Sequence, residues 1–215
     1  MLRSREAQIE EIAAKTRARW GYTNRRCPDV ITCISKLKHE GRISNYLPVP
    51  DEELPEDEAE FNPATGLLRL RNSVFRAAND PFSSPREKAR ARFTIMHEAG
   101  HALLGHKRTR HRNISDRKIE KIILQTRIDE AEANRFSGAF LVPPELVDIA
   151  ISPTPQQISR EFQVSMQMAE IRLNELETLA RRKSNTKRET PDFVLDYLRE
   201  AKKRGSKVTS LDDDK

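Results

Sequence analysis

The sequence predicts a mainly helical α+β fold with a small β-hairpin and a helix-turn-helix-like pair near its C-terminal end. Three observations carry that reading. Apolar residues recur at helical spacing through most of the chain. Strand-like runs occur only around residues 59–71. Glycine and aromatic side chains are scarce, at 7 residues and 6% of the chain. With 36% hydrophobic and 33% charged residues in 215, the core should be modest and the surface densely charged. No run of about 18 apolar residues exists, so no membrane span is expected. The N-terminus lacks the apolar stretch of a signal peptide, and a cytoplasmic protein is expected. Cys27 and Cys33 match no metal spacing and are expected to be reduced thiols.

Four regions follow from composition and pattern: a helical pair over 1–45, a core over 46–150, the helix-turn-helix-like helices over 151–182, and a basic, partly disordered tail over 183–215. The first helix spans 4–19, with Ile9, Ile12, Ala13 and Thr16 along one side, Trp20 extending the stripe and Gly21 ending it. A second opens at Pro28 and carries Val30, Ile31, Ile34 and Leu37. Residues 47–58 are rich in proline and acid and read as a solvated connection. Asn62, Pro63 and Gly66 punctuate a turn between short apolar runs, which gives the hairpin over 59–71. Its edge is a candidate for holding a peptide substrate as an added strand, and prolines at Leu68 and Leu70 should then raise KM.

Ser84, Pro85 and Glu87 form the signature of a helix start: N-cap, first-turn proline and capping box. Ala89, Phe93, Met96, Gly100 and Leu103 form the expected buried stripe, and Gly105 lets the helix stop. Inside it lies His97-Glu98-Ala99-Gly100-His101. Residues four apart share a helical face, so both histidines can offer a ring nitrogen to one metal ion. Glu98 is placed to take a proton from water at that ion. Catalytic zinc usually has three protein ligands, so a third is needed downstream.

A further helix is expected over 128–142, ended by Pro143 and Pro144, and it holds two competing glutamates. Residues two apart point about 200° from each other on a helix. Glu132 shares its face with Phe136 and Phe140, which want core. Glu130 shares its face with Ala133, Asn134 and Ser137, suited to lying against another helix at a metal. Glu130 is therefore the expected ligand, with Asn134 hydrogen-bonding a ligand side chain.

Arg92 to Leu104, followed by Glu130, Ala133, Asn134 and Phe136 and then Leu141-Val142-Pro143, resembles the ImmA/IrrE family of zinc metallopeptidases. The resemblance covers roughly residues 59–180, and the family's Glu-x-x-Ala-Asn pattern falls on Glu130. Met96 and Ser137-Gly138 depart from the usual pattern without touching a ligand. The resemblance implies a zincin-like catalytic core, Zn²⁺ held by His97, His101 and Glu130, and Glu98 as general base. It also implies a gluzincin-like intracellular endopeptidase whose partner is a helix-turn-helix repressor, cleaved to release phage, mobile-element or stress genes. Some relatives work beside toxin–antitoxin modules instead. Tyr46, His106 and His111 are candidates for a donor to the developing oxyanion.

The last third offers the rival function. Thr154 and Ser165 each read as N-caps, and Ile158, Phe162, Val164, Ile171 and Leu176 could form a small shared core. Such a pair could enter the major groove of DNA as a regulator. Charge argues against it, since the second helix carries Glu170, Glu175 and Glu177 against Arg172. Of the net charge of +6, +4 sits in residues 181–215, where it is interrupted by acid. That tail contains one short amphipathic stretch, 191–201, and disorder is expected from Lys202 onward.

Overall fold

The architecture is that of a computed structural model, which describes residues 4–107, 116–185, 197, 200–202 and 204. The chain forms two compact units, Met1–Leu176 and Glu177–Lys215. The candidate site lies wholly in the first. Among the described residues, no helix is long and apolar enough to cross a membrane.

Helix α1 (Arg5–Arg19) starts at the Ser4 cap and buries Ile9, Ala13 and Thr16 as the spacing predicts. It also buries Arg17, which the pattern does not suggest. The Arg17 guanidinium donates to three backbone carbonyls, those of Phe140, Tyr22 and Arg25, so both terminal nitrogens of the buried charge are hydrogen-bonded. Helix α2 (Val30–His39) begins two residues after Pro28, because Asp29 takes the cap position and accepts from the Ile31 N–H. Cys27 lies before this helix and Cys33 within it, and both are free thiols. Burial pushes the Cys33 thiol up to about 12, so it stays protonated and inert at neutral pH.

The sheet has three strands in the order β1-β3-β2. Strands β2 (Ala59–Asn62) and β3 (Leu67–Arg71) are the antiparallel hairpin expected from the sequence. Strand β1 (Asn45–Val49) pairs in parallel with β3, where a loop was expected. Pro48 disguised it, and proline is tolerated there because β1 is an edge. The order also corrects the substrate-edge idea. Leu68 and Leu70 belong to the central strand and are 1% and 0% exposed, so prolines there would break the ladder rather than perturb a peptide-binding edge. At the β2 edge, the Phe61 N–H already donates to Glu98 on the neighbouring helix.

After a short α3 (Asn72–Asn79), helix α4 (Pro85–Leu104) begins at the reciprocal Ser84–Glu87 capping box and ends at Gly105, which is left-handed at φ 72°. It packs on α2, α3, β2 and α5, so it is buried on more than one side. Ile95 and Ala99 are therefore buried, whereas Phe93 and Leu103, expected inside, are only half-buried. Helix α5 (Asp116–Leu141) starts well before the predicted stretch and stops ahead of the double proline.

At Gly100, α4 lies directly against α5. A Cβ there would lie 3.1 Å from Phe136 Cδ1 and 3.3 Å from the Ala133 backbone, which cannot step aside. Gly100→Val should therefore destabilise the protein by about 2 kcal/mol through overpacking. Thermal unfolding would measure it, and an unchanged midpoint would show that the helices can part.

Helices α6 (Pro155–Phe162) and α7 (Met166–Asn185) form the predicted turn-linked pair, with Thr154 in a capping box and Ser165 accepting from the Met168 N–H. Ile158, Phe162, Val164 and Leu176 are buried, but Ile171 is 55% exposed. The inward position beside it belongs to Arg172, 1% exposed. Of the tail, Tyr197, Glu200, Ala201 and Lys202 are helical. The remainder of the expected 191–201 helix, and the stretch beyond Lys202 apart from Arg204, lie outside the described residues.

Candidate metal centre

The centre is built by two helices meeting at small residues. Gly100 and Ala133 let α4 and α5 approach closely enough for side chains one turn away to converge. His97 and His101 project from α4 with their Nε2 atoms 3.0 Å apart. Glu130 on α5 reaches both, with Oε2 3.0 Å from His97 Nε2 and Oε1 3.5 Å from His101 Nε2. Glu98, 4% exposed, places Oε1 4.0 Å from His97 Nε2, and its Oε2 accepts the Phe61 N–H at 2.6 Å.

The ring tautomers follow from the outer partners. Asn134 Oδ1 lies 2.9 Å from His97 Nδ1 and can only accept, so Nδ1 carries a hydrogen; Nε2 then donates to Glu130, or offers its lone pair once a metal takes that place. Electrostatics agree that this pocket wants positive charge. Burial works against a charged His97, yet the Glu130 hydrogen bond and the Glu98 and Glu130 carboxylates raise its pKa above the ordinary value. Hydrogen bonds from His101 and His97 hold the Glu130 carboxyl far below the usual range.

Would this donor set accept zinc? Zinc–nitrogen and zinc–oxygen bonds of about 2.0–2.2 Å at tetrahedral angles place donor atoms about 3.3 Å apart. The observed separations of 3.0 and 3.5 Å bracket that value. His97, Glu98 and His101 also form a compact three-donor group, within 4.8 Å of one another. Glu130 could supply the third donor, since its oxygens lie 3.0 and 3.5 Å from the two Nε2 atoms, while one Glu98 oxygen is held by β2. The residues therefore fit the metal.

Other expectations fare differently. Tyr46 places its hydroxyl 3.1 Å from Ser35 Oγ. His111 lies outside the described residues. His106 is buried on the far side of His101, with Nδ1 2.9 Å from His101 Nδ1, so it is not an oxyanion donor. Glu132 does not join Phe136 and Phe140 in the core. It bonds His106 Nε2 at 3.1 Å and Arg5 of α1 at 2.5 and 2.8 Å, and the Arg5 hydrogen bond holds its carboxyl below the usual range. The sequence reading missed this grouping. Its signal was a histidine immediately after a helix-ending glycine.

Comparison with known proteins bears on the same stretch. Residues 83–174 match the family model of peptidase M78, described as the IrrE N-terminal-like domain, and this supports a peptidase. No curated protein is matched. Among solved structures, a Mycobacterium tuberculosis transcriptional regulator is similar at 18% identity and a TM-score of 0.47, over 75% of this chain and 45% of its own. The chain thus spans less than half of that regulator's length. The matched stretch contains His97, Glu98, His101, Glu130 and Asn134 together, and it supports an ImmA/IrrE family protein.

Proposed function

We propose that this chain is a cytoplasmic, zinc-dependent endopeptidase that hydrolyses a peptide bond in a partner protein, a helix-turn-helix transcriptional repressor. The observation that carries the reading is the bridging of two facing Nε2 atoms by Glu130, with the buried carboxylate of Glu98 alongside. Zinc, when bound, would supply a Lewis acid that polarises a carbonyl and acidifies water. His97, His101 and Glu130 would hold it, and Asn134 would fix the His97 ring. Glu98, oriented by the Phe61 N–H, would take a proton from the attacking water and return it to the leaving amine.

The surroundings suit a protein chain as substrate. A cavity of about 900 Å³ is lined by Ile9, Phe93, Ile128, Asn134 and Met168, among others, and Asn134 is also the hydrogen-bond partner of His97, so apolar side chains of a substrate have a place one residue away from the centre. Direct reading of DNA by α6 and α7 is disfavoured. Arg172 points inward, and α7 presents Glu170 and Glu177 to solvent. The direct test incubates the zinc-loaded chain with a purified repressor encoded beside it, using Glu98→Gln as control and mass spectrometry of the products. Cleavage at one bond by the wild type alone is expected. An intact repressor at full zinc occupancy would sink that substrate assignment.

A further inference from the structure

His101 is anchored differently from His97. Its ring is 3% exposed, and its Nδ1 meets a second imidazole instead of an amide. Two ring nitrogens 2.9 Å apart need one hydrogen between them. For His101 to offer Nε2 to a metal shared with His97 and Glu130, its hydrogen must sit on Nδ1 and be donated to His106 Nδ1. His106 must then carry its own hydrogen on Nε2, which lies 3.1 Å from Glu132 Oε2 and 4.0 Å from Asp129 Oδ1. Glu132 in turn accepts from Arg5 Nε and NH2. Each donor in this series therefore has an acceptor, and the series crosses from α4 to α5 to α1.

Backbone geometry places His106 where the series needs it. Gly105 turns left-handed at φ 72°, the chain curls back, and the His106 N–H donates to the His101 carbonyl at 3.1 Å. The two rings stand edge to face with centroids 5.0 Å apart. His106 itself is 7% exposed. A buried imidazole with both nitrogens engaged has one orientation open to it, and so has the His101 ring it holds. A metal-binding histidine usually gives its outer N–H directly to a carboxylate, carbonyl or water. Here an imidazole is interposed between ligand and carboxylate, and the carboxylate is fixed by the first helix of the chain.

We propose that His106, Glu132 and Arg5 act as a positioning relay that fixes the ring orientation and tautomer of His101 for metal binding. The proposal rests on the metal-binding reading and adds to it that α1 is part of the metal centre. Its test uses the full chain and zinc alone, with affinity measured by competition against a chromophoric chelator and folding of the metal-free protein followed in parallel. Outer partners of this kind are worth about 10–100-fold in metal affinity, and His106→Ala should weaken zinc binding by that factor. His106→Gln should recover part of the loss, because an amide can accept from His101 and donate to Glu132. Glu132→Gln should weaken binding about tenfold with unfolding of the metal-free chain unchanged. Arg5→Met, at a half-exposed position, should cost about threefold. Should His106→Ala fail to fold, the Gln variants carry the test. Zinc affinities of His106→Gln and Glu132→Gln within twofold of wild type would overturn the relay alone. A wild-type chain that takes up no zinc would overturn the metal reading as well.

Discussion

Glu98→Gln should lower peptide-bond hydrolysis by about 10²–10⁴-fold, the range a positioned general base contributes, while zinc content stays at the wild-type level. The geometry explains why this substitution is clean. Glu98 is 4% exposed, and its Oε2 accepts the Phe61 N–H at 2.6 Å. Glutamine keeps the volume, and the Phe61 N–H still requires an acceptor, so the amide oxygen must take that position. The amide nitrogen is then turned towards the histidines, where it can donate but cannot accept a proton. The fold and the three ligands remain, and the proton-transfer step is lost. Glu130→Ala should behave oppositely, losing zinc and activity together, because it removes the carboxylate whose two oxygens lie 3.0 and 3.5 Å from the two Nε2 atoms. Metal analysis beside a cleavage assay separates the two. Full activity in Glu98→Gln would end the general-base role, and zinc loss in that variant would mean that Glu98 is a ligand.

Local codes were readable from the sequence, and pairings across the fold were not. The start of α4 is written in Ser84, Pro85 and Glu87, whose hydrogen bonds lie within one turn. Convergence of His97, His101 and Glu130 could be anticipated because helical spacing fixes which side chains share a face. Strand β1 was missed because its pairing with β3 joins residues far apart in sequence, while Pro48 and the following acids imitate a loop. Glu132 was assigned to the core by its face, but a glutamate is long enough to leave that face and meet Arg5 and His106. His106 was placed by the left-handed turn at Gly105, which no periodicity reports. The phase of α7 was misread for a related reason: an arginine was assumed to point outward, so Ile171 was given the inward position that Arg172 holds.

Arg172→Met should destabilise the Met1–Leu176 unit by about 3 kcal/mol, at the lower end of the range for breaking a buried ion pair. Arg172 Nε donates to the Val142 carbonyl at 2.9 Å. NH1 and NH2 donate to the two oxygens of Glu10 at 2.7 and 2.8 Å, and NH1 also reaches Glu175 at 2.9 Å. Desolvation opposes the charge, yet these carboxylates raise the pKa of Arg172 above the ordinary value, so it remains a cation. Methionine of similar length would fill the space and leave Glu10 facing a nearly dry site without its fork of donors. Arg135 lies 3.8 Å from Glu10 and 3.3 Å from Glu175, and it would screen part of the exposed charge, which is why the lower end applies. Chemical unfolding followed by Trp20, the single tryptophan and packed edge-on against Phe140 at 5.6 Å, reads the change directly. The double variant Glu10→Leu with Arg172→Met should regain much of the loss, because it removes both charges rather than stranding one. A loss in Arg172→Met below about 1 kcal/mol would show that water reaches Glu10 and that this cross-link between α1 and α7 is worth no more than a surface pair.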